Sequence, residues 1–135
     1  MGYNDIFIEY ACYDEAYSDK VRANVFRAID MDIQGISVPV THLSCIASLI
    51  PNGMVLSCPI DWPNGWSDTK SRITDICQAA NKGVTAVDVV ANQTLYLNNK
   101  HGDFMADLKA MLATAKEKDV SLRIMLNHRV IDARS

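Results

Sequence analysis

The chain has 135 residues, 49% of them hydrophobic and 21% charged, with a formal charge of -3. That is enough for one domain over residues 1–135 with its own core, and it excludes a disordered tract and the basic runs of a nucleic-acid surface. No stretch approaches the roughly 20 apolar residues of a membrane span, and the opening MGYNDIFIEYAC has no basic region ahead of its apolar residues, so it does not read as a secretory signal.

Cys12, Cys45, Cys58 and Cys77 are widely spaced, with no C-x-x-C pair, and His42, His101 and His128 are far apart. The expectation is reduced thiols used as small hydrophobes in a soluble, cytoplasmic chain, with no metal and no cofactor.

In chain order, residues 5–10 (DIFIEY) read as a first strand. Residues 14–29 follow as a helix with Ala16, Val21, Val25, Phe26 and Ile29 at near-helical spacing. Residues 35–38 (GISV) form a second strand, stopped by Pro39. A short helix begins at Thr41 or His42, runs to Leu49 and ends at Pro51-Asn52-Gly53. Residues 54–60 make a third strand leading into Asp61-Trp62-Pro63-Asn64-Gly65-Trp66. Ser67 is placed to cap a helix whose face is Ile73, Ile76, Cys77 and Ala80, with Gly83 just past its end. Residues 84–90 (VTAVDVV) are rich in β-branched side chains and form a fourth strand. A helix over 103–118 and a fifth strand over 120–126 (VSLRIML) complete the series.

The order βαβαβαβαβ with short connections implies parallel strands joined by right-handed crossovers. Two architectures fit: an open doubly wound sheet, or an arc of about half a (β/α)8 barrel, since a closed barrel takes about 200 residues or more. Strand alternation favours the arc. Ile6 and Ile8, Val87 and Val89, and Leu122, Ile124 and Leu126 make one purely aliphatic face. Phe7 and Glu9, Ala86, Asp88 and Val90, and Ser121, Arg123, Met125 and Asn127 make a mixed one, where a doubly wound sheet wants both faces aliphatic. The first βα turn, Ala11-Cys12-Tyr13-Asp14, also lacks the glycines of a nucleotide-binding sheet.

The polar groups expected on the inner face near the strand ends are Glu9, Ser37, Asp88 and Asn127, where parallel α/β folds place their chemistry. Asp88, flanked by valines, needs a partner if buried. Arg123, on the same face of the next strand, could supply it as an ion pair. Trp62 and Trp66 could form an aromatic platform, and His128 beside Arg129 an anion site.

Taken in order, Gly35-Ile36-Ser37-Val38-Pro39, Asp61-Trp62-Pro63-Asn64-Gly65, Ala79-Ala80-Asn81-Lys82-Gly83, Ala86-Val87-Asp88-Val89-Val90 and residues 122–127 resemble the first five strands of the deoxyribose-phosphate aldolases. The resemblance implies a class I aldolase that joins acetaldehyde to glyceraldehyde 3-phosphate through a Schiff-base lysine, acting on small phosphorylated sugars or aldehydes. It makes Asp88 the proton-relay carboxylate, with Ser37, Asn127 and Glu9 around it. Ser37 stands where that family has Cys, Trp62 where it has Phe, and Asn127 where it has Glu. The family's lysines and phosphate loops lie on later strands, beyond Ser135. Lys20, Lys70, Lys82, Lys100, Lys109, Lys116 and Lys118 fall on predicted helices or loops, with Lys70 nearest the mouth. The alternative is a non-catalytic half-barrel that binds or assembles, as a homo-oligomer or with a missing C-terminal half.

Overall fold

The structure, a computed structural model, describes residues 6–127. Five strands, β1 (Glu9–Ala11), β2 (Gly35–Ser37), β3 (Val55–Ile60), β4 (Ala86–Val90) and β5 (Ser121–Met125), form one parallel sheet in the order β1-β2-β3-β4-β5. Strictly sequential order is what a barrel arc requires, because a doubly wound sheet reverses direction at a switch point. The connecting helices are α1 (Ser18–Asp30), α2 (Val40–Ile46) with a 3-10 turn at Ala47–Leu49, α3 (Thr69–Asn81), a short α4 (Gln93–Leu97) and α5 (His101–Glu117).

Alternation along the strands separates two environments. Ile36, Leu56, Cys58, Val87 and Val89 point to the convex side, where they pack with Val21 and Val25 of α1, Leu43 and Ile46 of α2, Ile76 and Ala79 of α3, and Met111 and Ala115 of α5. Each Val, Leu, Ile or Met among them, nearly fully buried, contributes about 1.5–3 kcal/mol. On the opposite face Ala11, Ser37, Ser57, Ala86 and Ser121 lie in register across all five strands. This row of small residues leaves a shallow floor on which long polar side chains can lie.

Three local expectations are corrected, and one helix is added. The first strand is Glu9–Ala11 rather than residues 5–10. Position 5 lies outside the described residues, and Ile6, Phe7 and Ile8 are exposed. The approach to β1 is held by Gln34, whose side chain accepts from the Ile8 N–H while the Ile8 carbonyl accepts from Gln34 and Gly35 N–H groups. Helix α1 starts at Ser18, not at residue 14, because His42 ties the preceding loop: its ring nitrogens meet the Glu15 carbonyl at 2.7 Å and the Ser18 hydroxyl at 3.0 Å. Asp68, not Ser67, caps α3 by accepting from the Ser71 N–H at 2.8 Å. This N–H also holds the Asp68 carboxyl below its ordinary range. Helix α4, between β4 and α5, has too few residues to show a period.

Ser67 is drawn away from capping by Asp61, whose carboxylate accepts from the Ser67 N–H and hydroxyl and from Arg72. Arg72 is fully buried. Its guanidinium donates to Asp61 at 2.9 Å, to Asp107 of α5 at 3.0 Å and to the Val90 carbonyl at 2.7 Å. Thr69 donates to the second oxygen of Asp107. One cation thus fixes the loop after β3 to the end of β4 and to α5. Gly65 completes the contact, because a Cβ there would lie 2.6 Å from the Ala91 carbonyl oxygen, at φ +69°.

Arg72→Met leaves two carboxylates without their cation, and is expected to destabilise the fold by about 3–5 kcal/mol in urea unfolding. A loss under about 1 kcal/mol would show that solvent already screens the cluster.

Candidate functional site

The concave face carries a second cluster, centred on Arg123. Register places Arg123 directly beside Asp88. The Arg123 Nε and Nη2 donate to Asp88 Oδ1 and Oδ2 at 2.6 and 2.9 Å. The same Nη2 reaches Glu9 Oε2 on β1 at 2.6 Å. The guanidinium therefore crosses the row of small residues from one edge strand to the other. Ser57 donates to Glu9 at 3.0 Å and Ser37 to Asp88 at 3.5 Å. Asp88 and Ser37 are buried. Burial works against the charge on Arg123, yet hydrogen bonds to Asp88 and Glu9, and their charges, outweigh it and push the guanidinium up.

Below this layer Phe7 lies with its ring 5.6 Å from the Arg123 guanidinium. A side chain at Gly35 would meet Phe7 at 2.8 Å, so the glycine makes room for the ring. Above it, at the C-terminal mouth, Tyr13 and Trp62 bring their rings to 5.3 Å at 55°. Burial pushes the Tyr13 phenol up, and its hydrogen bond with Ser37 pulls it partly back. The layers run Phe7, then Glu9–Arg123–Asp88, then Tyr13–Trp62.

Three of the four expected site residues, Glu9, Ser37 and Asp88, are joined in this network, and the Asp88–Arg123 pair has the cross-strand geometry anticipated from the strand faces. Glu9 sits at the start of β1 rather than near its end, yet its carboxylate reaches the cluster. Asn127, just past β5, bonds through its backbone to Gln93, donating to the side-chain carbonyl and accepting from the side-chain amide. Tyr13 and Ser57 join the site without having been singled out. Ser57 shows a signal in hindsight, a hydroxyl on the mixed face of β3, whereas Tyr13 lies in a turn with no period. The aromatic pair is Tyr13–Trp62 instead of Trp62–Trp66: Trp66 sits on the far side of the loop, by Leu95 and Asp103. His128 and Arg129 lie outside the described residues.

All of the lysines are exposed and sit on helices or their flanks, Lys70 in the first turn of α3. The four cysteines are unpaired, Cys12 and Cys58 buried. Among the described residues no group of three or more His, Cys, Asp or Glu side chains could hold a metal, and no helix is long and apolar enough to cross a membrane.

No family model matches the chain. It is 29% identical over 102 residues to a curated deoxyribose-phosphate aldolase from Mus musculus, covering 69% of this chain and 31% of the mouse protein. It is 26% identical over 111 residues to the deoxyribose-phosphate aldolase of Staphylococcus saprophyticus, covering 82% of this chain and 50% of that one. The chain thus spans a third to a half of the curated relatives it matches. In structure it superposes on a protein from Coccidioides immitis assigned as a deoxyribose-phosphate aldolase, with a TM-score of 0.81 at 18% identity, over 87% of this chain and 47% of the other. The fold is that of about half a (β/α)8 barrel, and the similarity in sequence is to the deoxyribose-phosphate aldolases.

Removing Arg123 as Arg123→Met leaves two carboxylates facing each other, at an expected cost of about 2–3 kcal/mol, part of which Glu9→Gln in the same chain should restore. Strict additivity of the two changes in urea unfolding would show that they do not share one cluster. A second expectation concerns alkaline pH. Burial pushes the Cys58 thiol up to about 12 from an ordinary 9.0, so the folded chain holds this proton more tightly than the unfolded one. Its contribution is complete below pH 9 and lost as pH rises toward 12. The urea midpoint should fall over that window, with a shallower fall in Cys58→Val; identical pH profiles in the two proteins would contradict it.

Proposed function

We propose that this chain is part of a cytoplasmic aldolase of the deoxyribose-phosphate type, cleaving or forming 2-deoxyribose 5-phosphate from acetaldehyde and glyceraldehyde 3-phosphate. The Schiff-base lysine and phosphate site come from a further half-barrel outside this chain. The observation that carries the reading is Asp88: the strand that resembles the family's proton-relay strand holds its carboxylate buried on the concave face, in a chain whose curated matches are aldolases.

In this reading the labour is divided between a lysine outside the chain and Asp88. A lysine amine attacks the aldehyde carbon, water leaves, and the iminium draws electron density from the neighbouring carbon. That carbon then loses or gains a proton, which a nearby carboxylate can take or return. Both oxygens of Asp88 accept hydrogen bonds from Arg123, and Oδ2 also from Ser37, which fixes the carboxylate as an acceptor aimed along the concave face. Ser37 and Glu9 position it through the network, and Asn127 lies at the mouth beside Gln93.

A second reading is favoured by one observation. Ile124 and Leu126 at the β5 edge, and Ile6, Phe7 and Ile8 beside β1, are exposed, so both ends of the sheet present apolar surface next to an edge strand. In that reading the ion cluster is a structural clamp, and the chain assembles with a second copy.

Borohydride trapping with acetaldehyde, read by intact mass, separates these readings. The chain alone is expected to give no adduct. Joined to the C-terminal half of a curated relative it should trap acetaldehyde and cleave deoxyribose 5-phosphate, with Asp88→Asn slowing turnover by about 10²–10⁴-fold. Full activity in Asp88→Asn would remove the relay role, and an adduct on the chain alone would place the lysine within it, Lys70 being the first to map. A stable homo-oligomer in sedimentation, with no activity in the joined protein, would decide for assembly.

A further inference from the structure

Beside the mouth, at the end of β1, a cavity of about 430 Å³ is lined by Tyr10, Tyr13 and Trp62, with Asp14, Glu15 and Asn24 at its polar side. Three features set its chemistry. The Tyr13 and Trp62 rings meet at 55°, so they make a corner rather than a flat wall, and Tyr10 adds a third ring. The charged groups are acceptors: Asp14 makes no hydrogen bond or ion pair among the described residues, and Glu15 uses one oxygen on the Tyr17 N–H, leaving the other. Among the described residues no Lys, Arg or His lines the cavity.

We propose that this cavity binds a small organic cation, an alkylated ammonium. The face of an aromatic ring attracts positive charge, most strongly for Trp, and methyl groups on nitrogen spread that charge over a weakly hydrated surface that aromatic walls can cover. Carboxylates at the rim add long-range attraction. A phosphate or carboxylate ligand is disfavoured by the same groups, and a neutral polyol gains nothing from their charge. The site is separate from the Glu9–Arg123–Asp88 cluster and shares Tyr13 and Trp62 with the layer above it. Its test needs no turnover, so it stands or falls independently of the aldolase reading.

The test is a titration of the purified chain followed by the Trp62 indole N–H resonance, assigned with Trp62→Phe. The probes are choline, its uncharged tert-butyl isostere, and glycerol. Choline should shift the Trp62 resonance saturably in the millimolar range, with the isostere about tenfold weaker and glycerol silent. Asp14→Asn, at an exposed residue, should weaken choline several-fold while the rest of the spectrum stays unchanged. Equal affinity for choline and its isostere would reduce the cavity to a greasy cleft and overturn the assignment. A shift with glycerol alone, or none at the Trp62 indole with any probe, would do the same.

Discussion

One guanidinium holds two carboxylates on a face of the sheet that no helix among the described residues covers, and the inner side of the arc is organised by that constraint. Arg123 is long enough to cross from β5 to Glu9 on β1 only because the row between them is Ala11, Ser37, Ser57, Ala86 and Ser121. Larger side chains in that row would force the guanidinium out and leave Asp88 buried without a counter-charge, at a cost of several kcal/mol. The convex face answers to the opposite demand. Its aliphatic residues are covered by α1, α2, α3 and α5, and the two faces together explain a sheet that curves around polar groups while packing apolar ones outside.

The Arg72 cluster does a different job with the same chemistry. It sits outside the sheet, where it joins the loop after β3 to the end of β4 and to α5. Asp61 in turn holds Ser67, so the segment carrying Trp62 is fixed at both ends. Trp62 consequently stands against Tyr13 above Ser37 and Asp88. A segment held this way is fixed in place, as both the proposed aldehyde site and the proposed cation site require. The similarity to aldolases and the placement of Asp88 belong to the first of these, and the three rings beside β1 to the second.

Much of the fold was legible because it repeats locally. Val87-Asp88-Val89 and Leu122-Arg123-Ile124 declare their faces by alternation alone, and the register follows once the strands are parallel neighbours. Glu9, Ser37 and Asp88 were legible for the same reason. What was not legible depends on partners distant in sequence. Nothing around Arg72 tells of Asp107, because the two meet only when α3 lies beside α5. Tyr13 sits in a turn, and its role is set by Ser37 and Trp62. The start of α1 was misplaced because His42, from α2, claims the Glu15 carbonyl that a longer helix would need. Helical period stops at such a contact without warning.

The bond between Arg123 and Glu9 joins residues 114 positions apart in the chain, close to the greatest separation the described residues allow. Closing so long a loop is entropically costly until the intervening strands have already paired. The clamp is therefore expected to form late in folding, after β2, β3 and β4 have brought the two edge strands into place, and to contribute little to the rate-limiting barrier. What it governs is escape from the folded state. Its loss is felt chiefly as faster unfolding, so this one cross-sheet contact acts as a latch on the lifetime of the arc more than as a guide to its assembly.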